Sequence, residues 1–139
     1  MTKRYKTKNA IRKLIKKNEV AKNESYICDV GDCIEWFHIL NEELFNNELP
    51  QIGFDLKWLR VCWAYYEYYP RKPDKPKIII MNKEYPSYRL FVECLAHEMI
   101  HHWQYMKLGW RKVDHGDEFV EWSKKAKRIG LRIGEEQSK

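Results

Sequence analysis

A chain of 139 residues, 44% hydrophobic and 33% charged, holds one domain with a real core and leaves little room for a second. Its 14% aromatic content excludes an aromatic-poor disordered chain, and no apolar run approaches the roughly 18 residues of a membrane span. The formal net charge of +6 is uneven: residues 1–22 carry +8 and residues 23–139 carry −2. The basic N-terminus lacks the apolar segment of a secretory signal, so a soluble cytoplasmic monomer without membrane association is expected.

Residues 1–22 read as a basic arm. Within it, Ile11, Leu14, Ile15 and Val20 among lysines predict a weakly amphipathic helix over residues 8–22. Lys3, Arg4, Lys6, Lys8, Arg12, Lys13, Lys16 and Lys17 make it a candidate nucleic-acid-binding element. A solvated helix that serves solubility explains the same charges equally well. Residues 23–31 read as a loop. Asp32, with Glu35 three positions on, predicts the start of a helix striped by Ile34, Phe37, Leu40 and Leu44. Asn46, Asn47 and Pro50 end it.

Alternation at Phe54, Leu56 and Trp58 predicts a strand. Residues 61–69 and 77–82 predict two antiparallel strands joined by the Pro-rich loop 70–76. The aromatic group Trp63, Tyr65, Tyr66, Tyr68 and Tyr69 suits ordinary sheet packing better than peptide pairing or base stacking. Pro86-Ser87 opens a long helix to about residue 107, which Gly109 closes. Asp114 is the expected cap of a last helix striped by Phe119, Trp122, Ala126 and Ile129, with Gly130 after it. Residues 131–139 read as a polar tail. Cys28, Cys33, Cys62 and Cys94 form no CxxC pair and are expected as buried thiols rather than a metal site.

The chemistry concentrates in His97-Glu98-Met99-Ile100-His101. Four positions apart on a helix, His97 and His101 aim at one ion, and Glu98 reaches a water beside it as general base. Composition alone gives about 0.02 expected occurrences of HExxH, so chance is a poor explanation. A catalytic zinc takes three protein ligands, and His115 and Glu121 compete for the third place. His102, rotated ~100° around the helix, points elsewhere. His38 has no motif around it. Tyr65, Tyr66 and Tyr105 are candidates to stabilise an oxyanion, and the sequence does not choose among them.

His115-Gly116-Asp117-Glu118-Phe119 downstream and Leu44-Phe45-Asn46-Asn47-Glu48-Leu49-Pro50 upstream complete a pattern. With the HExxH segment, it resembles the SprT-like metalloprotease family over residues 32–130. The resemblance favours His115 over Glu121 as third ligand. It implies an α+β, single zincin-like domain with a small three-stranded sheet packed on the HExxH helix. It also implies one zinc ion and endopeptidase activity on protein substrates, including proteins bound or crosslinked to DNA. The accessory zinc-ribbon and ubiquitin-binding modules of larger members are not expected in residues 131–139. A DNA-binding module with a structural metal, and a small HExxH peptidase indifferent to DNA, are the alternatives.

Overall fold

The structure, a computed structural model, describes residues 2–134, 138 and 139, with side chains from residue 9 onward. It is a mixed α+β domain. The chain runs through α1 (Thr2–Asn18), β1 (Tyr26–Ile27), α2 (Val30–Glu43), β2 (Gly53–Lys57), β3 (Ala64–Glu67) and β4 (Ile78–Asn82). It continues through β5 (Glu84–Tyr85), α3 (Tyr88–Leu108), a 3₁₀ turn at Trp110–Lys112 and α4 (Asp117–Arg128). No described helix is long and apolar enough to cross a membrane.

The run Ile78–Met81 explains the sheet. Ile79, Ile80 and Met81 are all buried, so this strand is covered on both faces and must be central. The order is β2-β4-β3, with β2 parallel and β3 antiparallel to β4. The expected strand pair over residues 61–69 and 77–82 is present, in register Tyr65 to Ile80. Trp58 lies beyond the end of β2 and is exposed. α3 packs against α2 and β3, which places the HExxH segment between the sheet and the other helices.

The N-terminus of α3 is capped from two directions. Ser87 Oγ accepts the Leu90 N–H at 3.0 Å. Glu19 accepts the N–H groups of Tyr88 and Arg89 at 2.6 and 3.1 Å. Those three donors are ones that a helix start leaves without intrahelical partners. Burial works against the charge on Glu19, but the backbone N–H groups of Tyr88, Val20 and Arg89 outweigh it and hold its pKa below the ordinary value. At the other end Gly109 has φ 98°, a conformation that suits glycine, and its N–H returns to the Gln104 and Tyr105 carbonyls at 3.1 Å.

Several expected boundaries move. The arm helix spans residues 2–18 rather than 8–22, and it is no appendage: Ile11 and Ile15 are buried in the core. Arg12 lies across Gly130, where a Cβ would stand 2.7 Å from its Nε. α2 starts before Asp32 because Asp29 is its N-cap. Asp29 accepts from Asp32 N at 2.8 Å, and Asp32 accepts from Asp29 N at 3.0 Å, a reciprocal capping box. That register buries Cys33, Trp36, Phe37 and Leu40 and leaves Ile34 exposed. The expected loop 23–31 includes β1, which pairs with β5.

The described residues after α4 do not form the expected polar tail. Leu131 and Ile133 are buried in the core, and Glu93 Oε2 accepts the Arg132 N–H at 2.7 Å. Ser138 forms an antiparallel bridge with Cys62, and Lys139 N donates to the Val61 carbonyl at 3.0 Å. All four cysteines are free thiols; Cys28, Cys33 and Cys94 are buried and Cys62 is half-buried.

Candidate metal centre

His97 and His101 sit one turn apart on the buried face of α3. His115 enters from the loop between the 3₁₀ turn and α4. Their Nε2 atoms form a nearly equilateral triangle with edges of 3.2, 3.1 and 3.1 Å. The sequence left His115 and Glu121 in competition for this corner. Glu121 instead lies on the exposed face of α4, paired with Lys124 at 3.3 Å.

The tautomers can be worked out from the partners. His97 Nδ1 faces the Gly134 carbonyl at 2.9 Å, and His101 Nδ1 faces the Gln104 carbonyl oxygen at 2.8 Å. Both partners only accept, so each Nδ1 carries the proton and each Nε2 keeps its lone pair. Lone pairs therefore converge on one point with no N–H between His97 and His101. A cation satisfies such an arrangement. Tetrahedral nitrogen ligands at about 2.0–2.1 Å stand about 3.3–3.4 Å apart, close to the observed edges. The donor set thus fits zinc, and a group able to hold a metal is what His97, His101 and His115 form.

Burial completes the logic. It pushes the pKa of His97 down to about 3, with the neighbouring His101 and His115 acting in the same direction. Burial also lowers that of His101, against the opposing effect of Gln104. Neutral imidazole is the ligand form. Below pH 6.5 the unfolded chain protonates histidines that the folded chain keeps neutral, so stability falls as pH drops from about 6.5. Each fully differential proton costs about 1.4 kcal/mol per pH unit. Metal-free protein should therefore show a decreasing Tm from pH 7.5 to 5, measured by thermal unfolding. A flat profile would contradict the buried neutral histidines.

Phe119, 1% exposed, packs against all three imidazoles, stacked on His101 at 5.3 Å between ring centroids and edge-on to His97 and His115 at 4.7 and 4.8 Å. The spacing His115-Gly116-x-x-Phe119 thus puts a ligand before α4 and its apolar backing one turn inside. Gly116 is the helix N-cap. Asp114, expected to cap α4, instead accepts the Gly116 N–H at 3.0 Å, because its own backbone is tied to α3 through Gln104.

Glu98 is 2% exposed and lines an open cleft of about 550 Å³ together with His97, His101, His115, Ala64 and Tyr65. β3, an edge strand of the β2-β4-β3 sheet, supplies one wall. Of the tyrosine candidates, Tyr65 lines the cleft. Tyr66 also borders it, but its hydroxyl faces His102 Nδ1 at 2.9 Å, and burial pushes its pKa up. Tyr105 packs against Tyr66 and Tyr68 and is not part of the lining.

His102 points away from the triangle, as the helical rotation predicts. Its Nε2 meets the Pro50 carbonyl at 3.0 Å. The segment from Phe45 to Pro50 is therefore structural. Asn46 and Asn47 turn with positive φ, and Asn41 bonds both the N–H and carbonyl of Leu49, at 3.1 and 3.0 Å. His38 is exposed. On α1, Arg12, Lys13, Lys16 and Lys17 are exposed and none lines the cleft; the side chains of Lys3, Arg4, Lys6 and Lys8 lie outside those described.

The sequence reading missed Gln104 and Gly134. Gln104 stands three positions after His101, a spacing that shares a helix face and was open to notice. Gly134 carries no such signal, since its carbonyl acts through the backbone.

No curated protein sequence matches the chain. A family model described as the SprT-like family matches residues 33–137. That span runs from α2 through the histidine triangle to the segment that orients His97, and on it the chain belongs to the SprT-like family, which is of metalloprotease type.

Proposed function

We propose that this protein is a zinc-dependent endopeptidase whose substrates are proteins bound or crosslinked to DNA. The observation that carries the peptidase reading is the convergence of three imidazole nitrogens beside a buried glutamate in an open cleft. Structural zinc sites are closed by four protein ligands; three ligands with an accessible cleft is the catalytic pattern. Held by His97, His101 and His115, zinc supplies Lewis acidity toward water and a carbonyl oxygen. Glu98 takes a proton from the attacking water and delivers it to the leaving amine. Phe119 keeps the ligand rings in place. The cleft wall formed by β3 offers main-chain groups to an extended polypeptide.

The DNA part of the reading is supported by the charge on α1. Lys13, Lys16 and Lys17 are exposed there, on a helix whose apolar face is anchored in the core. The test compares wild type with the triple variant Lys13→Gln, Lys16→Gln, Lys17→Gln, which leaves Ile11, Ile15 and Glu19 untouched. Cleavage of a DNA-binding protein is measured with and without DNA, alongside DNA affinity across salt concentrations. Wild type should cleave faster with DNA. The variant should bind more weakly, and its log–log salt slope should flatten by about 0.9 for each phosphate that is no longer neutralised. Cleavage indifferent to DNA would favour the plain peptidase reading.

A further inference from the structure

Gln104 is completely buried on α3, and its side-chain amide meets the chain on two sides. Its Nε2 donates to the Asp114 carbonyl at 3.0 Å, and its Oε1 accepts the Asp114 N–H at 3.3 Å. The same Oε1 lies 2.8 Å from His101 Nδ1. The order of cause can be read from this. A peptide N–H can only donate and a peptide carbonyl can only accept, so the Asp114 backbone dictates which end of the amide is oxygen. That oxygen then requires a proton on His101 Nδ1. His101 is thereby left with a bare Nε2 aimed at His97 and His115. Asp114 is also the residue before His115, so the amide that sets the tautomer of one ligand holds the backbone leading into another.

We infer that Gln104 is a positioning residue: it couples the ligand on α3 to the ligand on the loop, fixing the tautomer of His101 and the placement of His115 together. This rests on the metal-centre reading above. Apolar isosteres cannot replace it, because the imidazole and both Asp114 backbone groups would lose their partners in a buried place. A partner of this kind behind a metal ligand is typically worth 10–100-fold in metal affinity.

The test uses the full chain with Gln104→Met and Gln104→Glu, each checked for folding by circular dichroism. Zinc affinity is measured by chelator competition and ligand geometry by the visible spectrum of the Co²⁺ form. The protonated nitrogen of His101 is identified by ¹⁵N NMR in the metal-free protein. Gln104→Met should bind zinc about 10–100-fold more weakly with an altered Co²⁺ spectrum, beyond any change in Tm. Gln104→Glu keeps both acceptor roles but turns its second oxygen toward the Asp114 carbonyl, which the lost N–H had bonded; it should keep the proton on Nδ1 and lose less affinity than Gln104→Met. A folded Gln104→Met with wild-type affinity and spectrum would overturn the inference. So would a proton on Nε2 of His101 in the metal-free wild type, which decides the matter even where the Met variant fails to fold. Wild type that binds neither zinc nor cobalt would sink the metal centre itself, a separate result.

Discussion

Glu98→Gln should retain zinc at wild-type affinity, keep its Tm, and cleave about 10²–10⁴-fold more slowly. The substitution preserves shape and removes one capability. A carboxylate accepts a proton at neutral pH; a carboxamide does not. Glu98 lines the cleft but stands outside the His97, His101 and His115 triangle, so metal binding and proton transfer separate cleanly at this position. Metal content and turnover, measured on one preparation, check it. Turnover equal to wild type would remove Glu98 from the proton path. Loss of zinc together with activity would mean that its role is structural.

His115→Ala should abolish activity and weaken zinc by more than the 10–100-fold expected for a partner behind a ligand, whereas Glu121→Ala should change neither. The two residues were rivals for the third ligand on sequence grounds. Geometry separates them. His115 Nε2 is 3.1 Å from each of the other two Nε2 atoms, and Glu121 is engaged with Lys124 at the surface. Removing His115 leaves His97 and His101 with lone pairs facing each other at 3.2 Å and only two protein ligands. Zinc titration of both variants decides between them. Stronger zinc loss in Glu121→Ala than in His115→Ala would refute the assignment.

What was legible beforehand follows a physical rule. The HExxH pair was legible because helix periodicity converts a spacing of four into a shared face. The ends of α3 were legible because Ser87 and Gly109 do their capping locally. Features decided by distant partners were not. α2 is an exception, since its cap Asp29 is set by a local capping box with Asp32, and the Asp32-to-Glu35 pattern placed the expected start too late. Leu131 and Ile133 lie in a stretch of mixed polarity, and only the packed body shows that they are buried. The role of Gln104 depends on a loop ten residues away in sequence that folds back against it.

The brace from Glu19 to the first turn of α3 has a thermodynamic corollary. Glu19, just past the end of α1, hydrogen-bonds to the start of α3, so the basic arm and α3 belong to one folding equilibrium. By mass action, a polyanion that binds the folded arm and not the unfolded chain stabilises the whole domain, by about 2.7 kcal/mol at a hundred times its Kd. Thermal stability thus becomes a direct meter of any polyanion binding to the arm, independent of a cleavage assay. Truncating the arm would confound that meter, because it discards the arm's positive charges and the domain's own scaffolding in a single cut.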